Sequence, residues 1–327
     1  MKDEFDFIDS ITPNHSYQST LIKGIGDDAA LIRPDKSQND ILCVDTMVES
    51  IHFDRKTMKP FHIGYKALAE NISDIAAMGG TPIFYLVSIA IPSNWTEDEL
   101  QGIYKGMEKL AQKYQMDLIG GDTVSTKGPL VISVTVHGRV RSDQQLLREN
   151  AAPGDVVFVT GPLGLSAAGL HLLFEKEQLD PEIDKCLLKA HQLPVPQVEA
   201  GLLLSESGFK IALNDISDGI ASEANEIAAA SNVHITLDYA ELPKHPSLER
   251  FSDQQVEEWI LYGGEDFQLV GTISESNWLP LKKTFDDQQH DLYKIGTVKA
   301  GQSGVSLLKN GECLSLHKKG YNHFKEK

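Results

Sequence analysis

Apolar positions along this chain switch repeatedly between a two-residue and a three-to-four-residue period, and each switch marks a change from strand to helix. Residues 40–44 form a short apolar run of strand character, ending at Asp45. From Pro60 onward, apolar residues fall at Ile63, Ala67, Leu68, Ile72, Ile75 and Ala76, which is one face of a helix that Gly79-Gly80 stops. The pattern predicts a strand at 84–91 and an amphipathic helix at 96–114 opened by a capping box, Thr96 with Glu99. It then predicts a strand at 116–119 that ends at Gly120-Gly121-Asp122, and another at 130–140.

The polar stretch 141–154 holds no obvious element and closes with Pro153-Gly154-Asp155. A domain boundary is expected there, dividing the chain into 1–150 and 151–327. Beyond it the pattern restarts with a strand at 156–160 and helices at 164–174, 182–191, 196–206 and 220–230. Asp215 to Gly219 falls between a strand at 210–213 and the last of these helices. Strands follow at 234–237, 267–273 and 293–298, and Asn310-Gly311 predicts a tight hairpin. Strands mixed with helices throughout place the protein in the α/β or α+β class, with two domains of similar size and no internal repeat. Its 327 residues exceed what one hydrophobic core usually supports.

The formal charge of −17 is spread along the chain rather than gathered in a tail, which argues against nonspecific nucleic-acid binding. Cys43, Cys186 and Cys313 are widely separated, with no CxxC and no zinc-ligand spacing, so they are expected to be reduced packing residues. The acidic N-terminus has no apolar signal core, and no apolar run approaches membrane-spanning length; a cytoplasmic protein without membrane contact is expected.

The chemistry is concentrated where carboxylates stand beside Gly, Ser or Thr: Gly26-Asp27-Asp28, Asp45-Thr46, Ser73-Asp74, Gly120-Gly121-Asp122-Thr123, Asp215-Ile216-Ser217-Asp218-Gly219 and Gly263-Gly264-Glu265-Asp266. Carboxylates on glycine-permitted bends that converge would repel one another unless hard cations neutralise them, and all-oxygen ligands suit Mg²⁺ together with substrate phosphates. Asp74 lies amid apolar helix residues, with no Arg or Lys at i±4, and so needs a partner or a metal. Each motif also has a structural explanation: a turn at Gly24-Ile25-Gly26, a tight turn at Gly120-Gly121, and a helix N-cap at Ser217 or Asp218. The chain carries neither a P-loop nor the protein-kinase catalytic set.

Taken with Gly24-Ile25-Gly26-Asp27-Asp28-Ala29-Ala30, these segments have a recognisable order. They include Lys66-Ala67-Leu68-Ala69-Glu70-Asn71-Ile72-Ser73-Asp74-Ile75-Ala76-Ala77-Met78-Gly79, Ile119-Gly120-Gly121-Asp122-Thr123, Ile216-Ser217-Asp218-Gly219, Gly263-Gly264-Glu265-Asp266 and Lys319-Gly320-Tyr321-Asn322-His323-Phe324. Over nearly its whole length the chain resembles the thiamine-monophosphate kinase family, within the wider aminoimidazole-ribonucleotide synthetase-like superfamily.

The resemblance implies ATP-dependent phosphorylation of thiamine monophosphate to thiamine diphosphate by direct in-line transfer, with several Mg²⁺ ions and no dedicated catalytic base. It implies metal-ligand roles for Asp28, Asp45, Asp74, Asp122, Asp215 and Asp218. Tyr104, Gly121, Asp122, Arg148 and Ser217 fall where the family contacts ATP, and His52, Glu265 and Tyr321 where it contacts thiamine monophosphate. It also implies a homodimer, in which 1–150 binds ATP and Mg²⁺ and forms a shared dimeric barrel, with 151–327 as a C-terminal α/β domain. The chain departs from the family at Cys43-Val44, where members often carry Ser-Thr, so a hydroxyl ligand is absent. The alternatives are another ATP-using superfamily member, selenophosphate synthetase or aminoimidazole-ribonucleotide synthetase, and a non-catalytic protein that binds nucleotide or divalent cations.

Overall fold

The structure, a computed structural model, describes residues 4–26, 29–175 and 181–319. It divides into two compact units. One takes the chain up to Ile75 and then Gly80 to Ser142, and the other takes Ala76–Gly79 together with the chain from Asp143 onward.

The first unit runs α1 (Glu4–Ile11), β1 (Leu21–Lys23), β2 (Leu31–Ile32), β3 (Gln38–Val48), α2 (Pro60–Ala77), β4 (Thr81–Pro92), α3 (Glu97–Tyr114), β5 (Asp117–Thr126) and β6 (Val131–Arg141). Four strands make one sheet in the order β3-β6-β4-β5, in which only the β4–β5 pair is parallel. The helix pattern from Pro60 becomes α2, whose Ile63, Leu68, Ile72 and Ile75 are fully buried. Thr96 and Glu99 cap α3 reciprocally, as their spacing predicts.

Two strands run further than the pattern indicates. β3 continues past Asp45 to Val48, and β5 continues through Gly120-Gly121-Asp122-Thr123 to Thr126. The glycines are therefore not a strand end. Gly121 lies opposite Val87 of β4, and a Cβ there would sit 2.0 Å from the Val87 carbonyl oxygen. Glycine is required by the close approach of two strands, with a register shift just before it at Tyr85/Leu86, rather than by a turn.

The second unit runs β7 (Asp155–Val159), α4 (Leu165–Glu175), α5 (Pro181–Gln192), α6 (Val198–Glu206), β8 (Ile211–Asp215), α7 (Ile220–Ser231), β9 (His234–Asp238), α8 (Asp253–Tyr262), β10 (Leu269–Ser274), α9 (Glu275–Asp287), β11 (Tyr293–Lys299), β12 (Gly304–Lys309) and β13 (Glu312–Ser315). Its seven strands form one sheet in the order β13-β12-β9-β11-β7-β10-β8, antiparallel except for β9 with β12. Asn310 (φ 52) and Gly311 (φ 81) turn the β12–β13 hairpin in left-handed conformation, as an Asn-Gly pair permits. A core including Val157, Val159, Ile216, Ala224, Ile227 and Val270 joins the sheet to its helices.

Helices α1, α8 and α9 have no counterpart in the pattern reading. For α8 the signal was present: Ser252 and Gln255 form a capping box. Helix α9 carries Pro280 inside it and only a narrow apolar stripe, with Leu281 and Phe285 buried. Helix α7 also departs from expectation at its start. Gly219 (φ 91) occupies the N-cap position with no side-chain cap bond, so neither Ser217 nor Asp218 serves as the cap. A Cβ at Gly219 would lie 2.8 Å from the Tyr262 backbone carbon, which leaves room only for glycine.

Candidate active site

In the first unit, Cys43 and Asp45 alternate along β3 opposite Val136 and Val134, whose side chains are buried. The Cys43 thiol lies 3.3 Å from the Asn71 carbonyl oxygen of α2. Burial pushes that thiol far up, and the negative charges of Asp74 and then Asp45 push it further, with a hydrogen bond to Asp74 adding to the effect. The thiol thus reports that Asp45, on a strand, and Asp74, on a helix, are brought together. Burial also raises the Asp45 carboxyl.

Asp122 is placed differently. Register puts Thr46, Ser133, Ser88 and Asp122 in one row across β3, β6, β4 and β5, and the neighbouring row is Asp45, Val134, Val87 and Gly121. Adjacent rows of a pleated sheet point to opposite faces. Asp45 shares its face with the buried Val134 and Val87; Asp122 shares the other with Leu42 and Val44, both strongly exposed.

His52 accepts the Val48 backbone N–H at Nδ1 (3.0 Å), so its neutral ring carries the proton on Nε2. Tyr104 is buried with its ring edge-on to Phe7, centroids 5.9 Å apart, and burial raises its phenol. It borders a cavity of about 250 Å³ that is also lined by His15, Gln101, Lys105 and Glu108. Asp28 and Tyr321 lie outside the described residues.

The second unit gathers its candidates on two hydrogen-bonded segments. Strand β8 ends at the buried Asp215. Beyond it, Ile216 N–H donates to Gln268 O (2.7 Å), Phe267 N–H to Ile216 O (2.9 Å) and Glu265 N–H to Ser217 O (2.7 Å). This zips Gly263-Gly264-Glu265-Asp266 along Asp215-Ile216-Ser217-Asp218. A Cβ on Gly264 would come within 2.5 Å of Ser217 O, so the zip closes only with glycine. The left-handed backbone lies instead at Glu265 (φ 66) and Phe267 (φ 49).

Behind these segments runs a polar chain, buried at Asn214 and Glu223 and exposed at Arg148. Arg148 Nε donates to Asn214 Oδ1 (3.0 Å), Asn214 Nδ2 to Glu223 Oε2 (2.6 Å), and Asp218 N–H to Glu223 Oε1 (3.2 Å). Burial pushes the Glu223 carboxyl up to about 8, helped by the charges of Asp215 and Asp218 and opposed by the Asp218 N–H and Arg148. Asp266 accepts from Gly164 N–H (2.6 Å) and Ser166 N–H (3.1 Å) at the start of α4; burial raises it to about 7 against those bonds. Asp266 was named within its motif but given no role, and Asn214 and Glu223 were not singled out from the sequence. Glu223 could have been, because it sits on the apolar face of α7 between Ile220 and Ile227, the same signal that marked Asp74.

Among the described residues, no group of three or more His, Cys, Asp or Glu side chains forms a ready-made metal cage. No helix among them is long and apolar enough to cross a membrane.

Comparison with known proteins decides the family. Residues 26–140 match the AIR synthase related protein N-terminal domain, and 152–309 the corresponding C-terminal domain. The chain is 50% identical to the thiamine-monophosphate kinase of Bacillus subtilis (strain 168) over 99% of this chain and 100% of that protein. It belongs to the thiamine-monophosphate kinase family. Among solved structures, the family's enzyme from Stenotrophomonas maltophilia K279a superposes with a TM-score of 0.82 at 32% identity, covering 90% of this chain and 92% of that one. AaThiL complexed with AMPPCP and TMP superposes with a TM-score of 0.77 at 29% identity, covering 98% and 97%. The two-domain mixed α/β fold expected of the thiamine-monophosphate kinase family is the fold observed.

Proposed function

We propose that this protein is the kinase that converts thiamine monophosphate to thiamine diphosphate with ATP. The observation that carries the reading is its match to the curated Bacillus subtilis enzyme across 99% of the chain. The Gly-Gly-Glu-Asp segment, which distinguishes this kinase within its superfamily, is also zipped onto the acidic loop after β8.

In the transfer, a phosphate oxygen of thiamine monophosphate attacks the γ-phosphorus of ATP in line. The bond from that phosphorus to the β–γ bridging oxygen breaks, and ADP leaves. The attacking oxygen is already ionised, so the protein supplies position and charge balance rather than a base.

Mg²⁺ fits the residues present. Asp45 with Asp74, and Asp215 with Asp218, are all-oxygen donor pairs whose charges add to burial in raising Cys43 and Glu223. Each pair is assigned to hold Mg²⁺, as are Asp28 and Asp122, so that several ions are bound. Mg²⁺ bound there would neutralise the phosphate oxygens of the two substrates and so favour their approach. The single Cys43 S–H lies within reach of Asn71 O and of Asp74, so the sulfur acts there as a hydrogen-bond donor rather than as a metal ligand.

Ser217, Arg148, Gly121, Asp122 and Tyr104 are assigned to ATP, and His52, Glu265 and Tyr321 to thiamine monophosphate. His52 offers its Nε2–H to an anionic oxygen, and Glu265 offers a carboxylate to the cationic thiazolium. Residues 1–150 are assigned the ATP, Mg²⁺ and dimerisation roles. The open sheet face bearing Leu42 (71% exposed), Val44 (60%) and Asp122 is assigned to a second copy of the chain, giving a homodimer.

The test is incubation with ATP, Mg²⁺ and thiamine monophosphate, followed by chromatography of the products. Thiamine diphosphate and ADP are expected in equal amounts. ADP without thiamine diphosphate, or no turnover by the folded protein, would overturn the assignment.

A further inference from the structure

Glu265 is the residue on which acceptor recognition rests in the reading above, and its backbone conformation disfavours any side chain. Three attachments hold the segment: Glu265 N–H on Ser217 O, Phe267 N–H on Ile216 O, and the Asp266 carboxylate on the first amides of α4. Together they fix where the Glu265 side chain starts.

A buried imidazole lies beside that side chain. His191 Nδ1 is 3.6 Å from Glu265 Oε2 and 3.1 Å from Ser166 Oγ. His191 is 3% exposed and Ser166 1%, whereas the Glu265 side chain is 29% exposed. His191 comes from the last turn of α5 and Ser166 from the first turn of α4. Those helices touch backbone to backbone, since a Cβ on Gly169 would lie 2.1 Å from Leu187 O. The ring therefore stands on a rigid two-helix base while the carboxylate beside it faces outward.

The proton on this ring follows from its neighbours. A lone pair on Nδ1 facing an ionised carboxylate would be repelled, whereas an Nδ1–H is attracted by both Glu265 and the Ser166 oxygen. At 3.6 Å the contact with Glu265 is electrostatic rather than a hydrogen bond, which leaves the carboxylate able to engage a ligand while its direction is held.

We infer that His191, seated on Ser166, is a positioning residue that aims Glu265 at the cationic thiazolium ring of the acceptor. The inference rests on Glu265 contacting the acceptor.

Steady-state kinetics and thermal melting on Glu265→Gln, His191→Leu, His191→Asn, Ser166→Ala and the double variant His191→Leu/Glu265→Gln test it. His191→Leu is expected to raise KM for thiamine monophosphate by about tenfold, with kcat and KM for ATP within about twofold of wild type. His191→Asn, whose amide places an N–H near the Nδ1 position, recovers most of that loss, and the double variant is no worse than Glu265→Gln alone. A wild-type KM in His191→Leu, or an effect that adds in full to Glu265→Gln, overturns the positioning role. Should His191→Leu fail to melt cooperatively, Ser166→Ala replaces it in the same cycle with the same criteria. If Glu265→Gln itself leaves KM for thiamine monophosphate unchanged, the acceptor assignment of Glu265 fails and this role fails with it. A rise in KM for His191→Leu in that case would point to His191 acting on its own.

Discussion

The Glu265 amide donates to the Ser217 carbonyl at 2.7 Å, and with that bond two acidic segments far apart in sequence become neighbours. Its partner bond from Phe267 to Ile216 repeats the connection at 2.9 Å. The two bonds need a bare Cα at Gly264, against which Ser217 O rests. The Gly-Gly of the motif is thus a packing requirement, and the residue it delivers is the glutamate.

Asp74→Asn tests the first-unit carboxylates. Asn keeps the shape and removes a charge that, after burial, helps to raise the Cys43 thiol. Turnover is expected to fall at least about a hundredfold, about 3 kcal/mol of transition-state stabilisation. The metal-free protein should melt no lower than wild type, because a repulsive charge is gone. Wild-type turnover at ordinary Mg²⁺ would rule out the ligand role.

Glu223 makes the stability of the metal-free protein depend on pH. Its carboxyl is raised in the folded state to about 8 from an ordinary 4.5, so the folded protein holds a proton that the unfolded chain releases. The stabilisation is fully present below about pH 4.5 and is lost as pH rises through 8, by an amount on the order of a few kcal/mol. Denaturant unfolding in EDTA from pH 5 to 9 should show this decline, and Glu223→Gln should flatten it. An equal slope in both proteins would contradict the assignment.

Gly121→Ala places a methyl 2.0 Å from the Val87 carbonyl oxygen within the β4–β5 ladder. Because both neighbours are backbone, the strands must part. A loss of about 2–3 kcal/mol is expected, read as a lower melting temperature, with activity falling further as Asp122 shifts. A wild-type melting curve would show that β5 tolerates the side chain.

Leu42→Glu with Val44→Glu puts two carboxylates on the open sheet face while leaving the half-buried Cys43 and Asp45 on the other face in place. Light scattering should then report a mass near 36.1 kDa where wild type shows about twice that. A wild-type mass near one chain would remove the basis for the homodimer.

Local sequence alone determined that α2 runs from Pro60, that α3 is capped by Thr96 and Glu99, and that Asn310-Gly311 turns a hairpin, because each depends on contacts within a few residues. The placement of Asp74 and Glu223 was legible in the same way, as carboxylates on apolar helix faces, although only Asp74 was read. The family was legible too, since short motifs in fixed order carry it.

What only the tertiary structure decided depends on contacts distant in sequence. Gly120-Gly121 looks like a turn until Val87 is laid against it, and Ser217 looks like a helix cap until Glu265 takes its carbonyl and Gly219 starts the helix. Cys43 looks like a packing residue until α2 brings Asp74 to its thiol. Strand register, likewise, set Asp45 and Asp122 on opposite faces of one sheet. A one-residue shift of register reverses the face, and a motif read by itself carries no register.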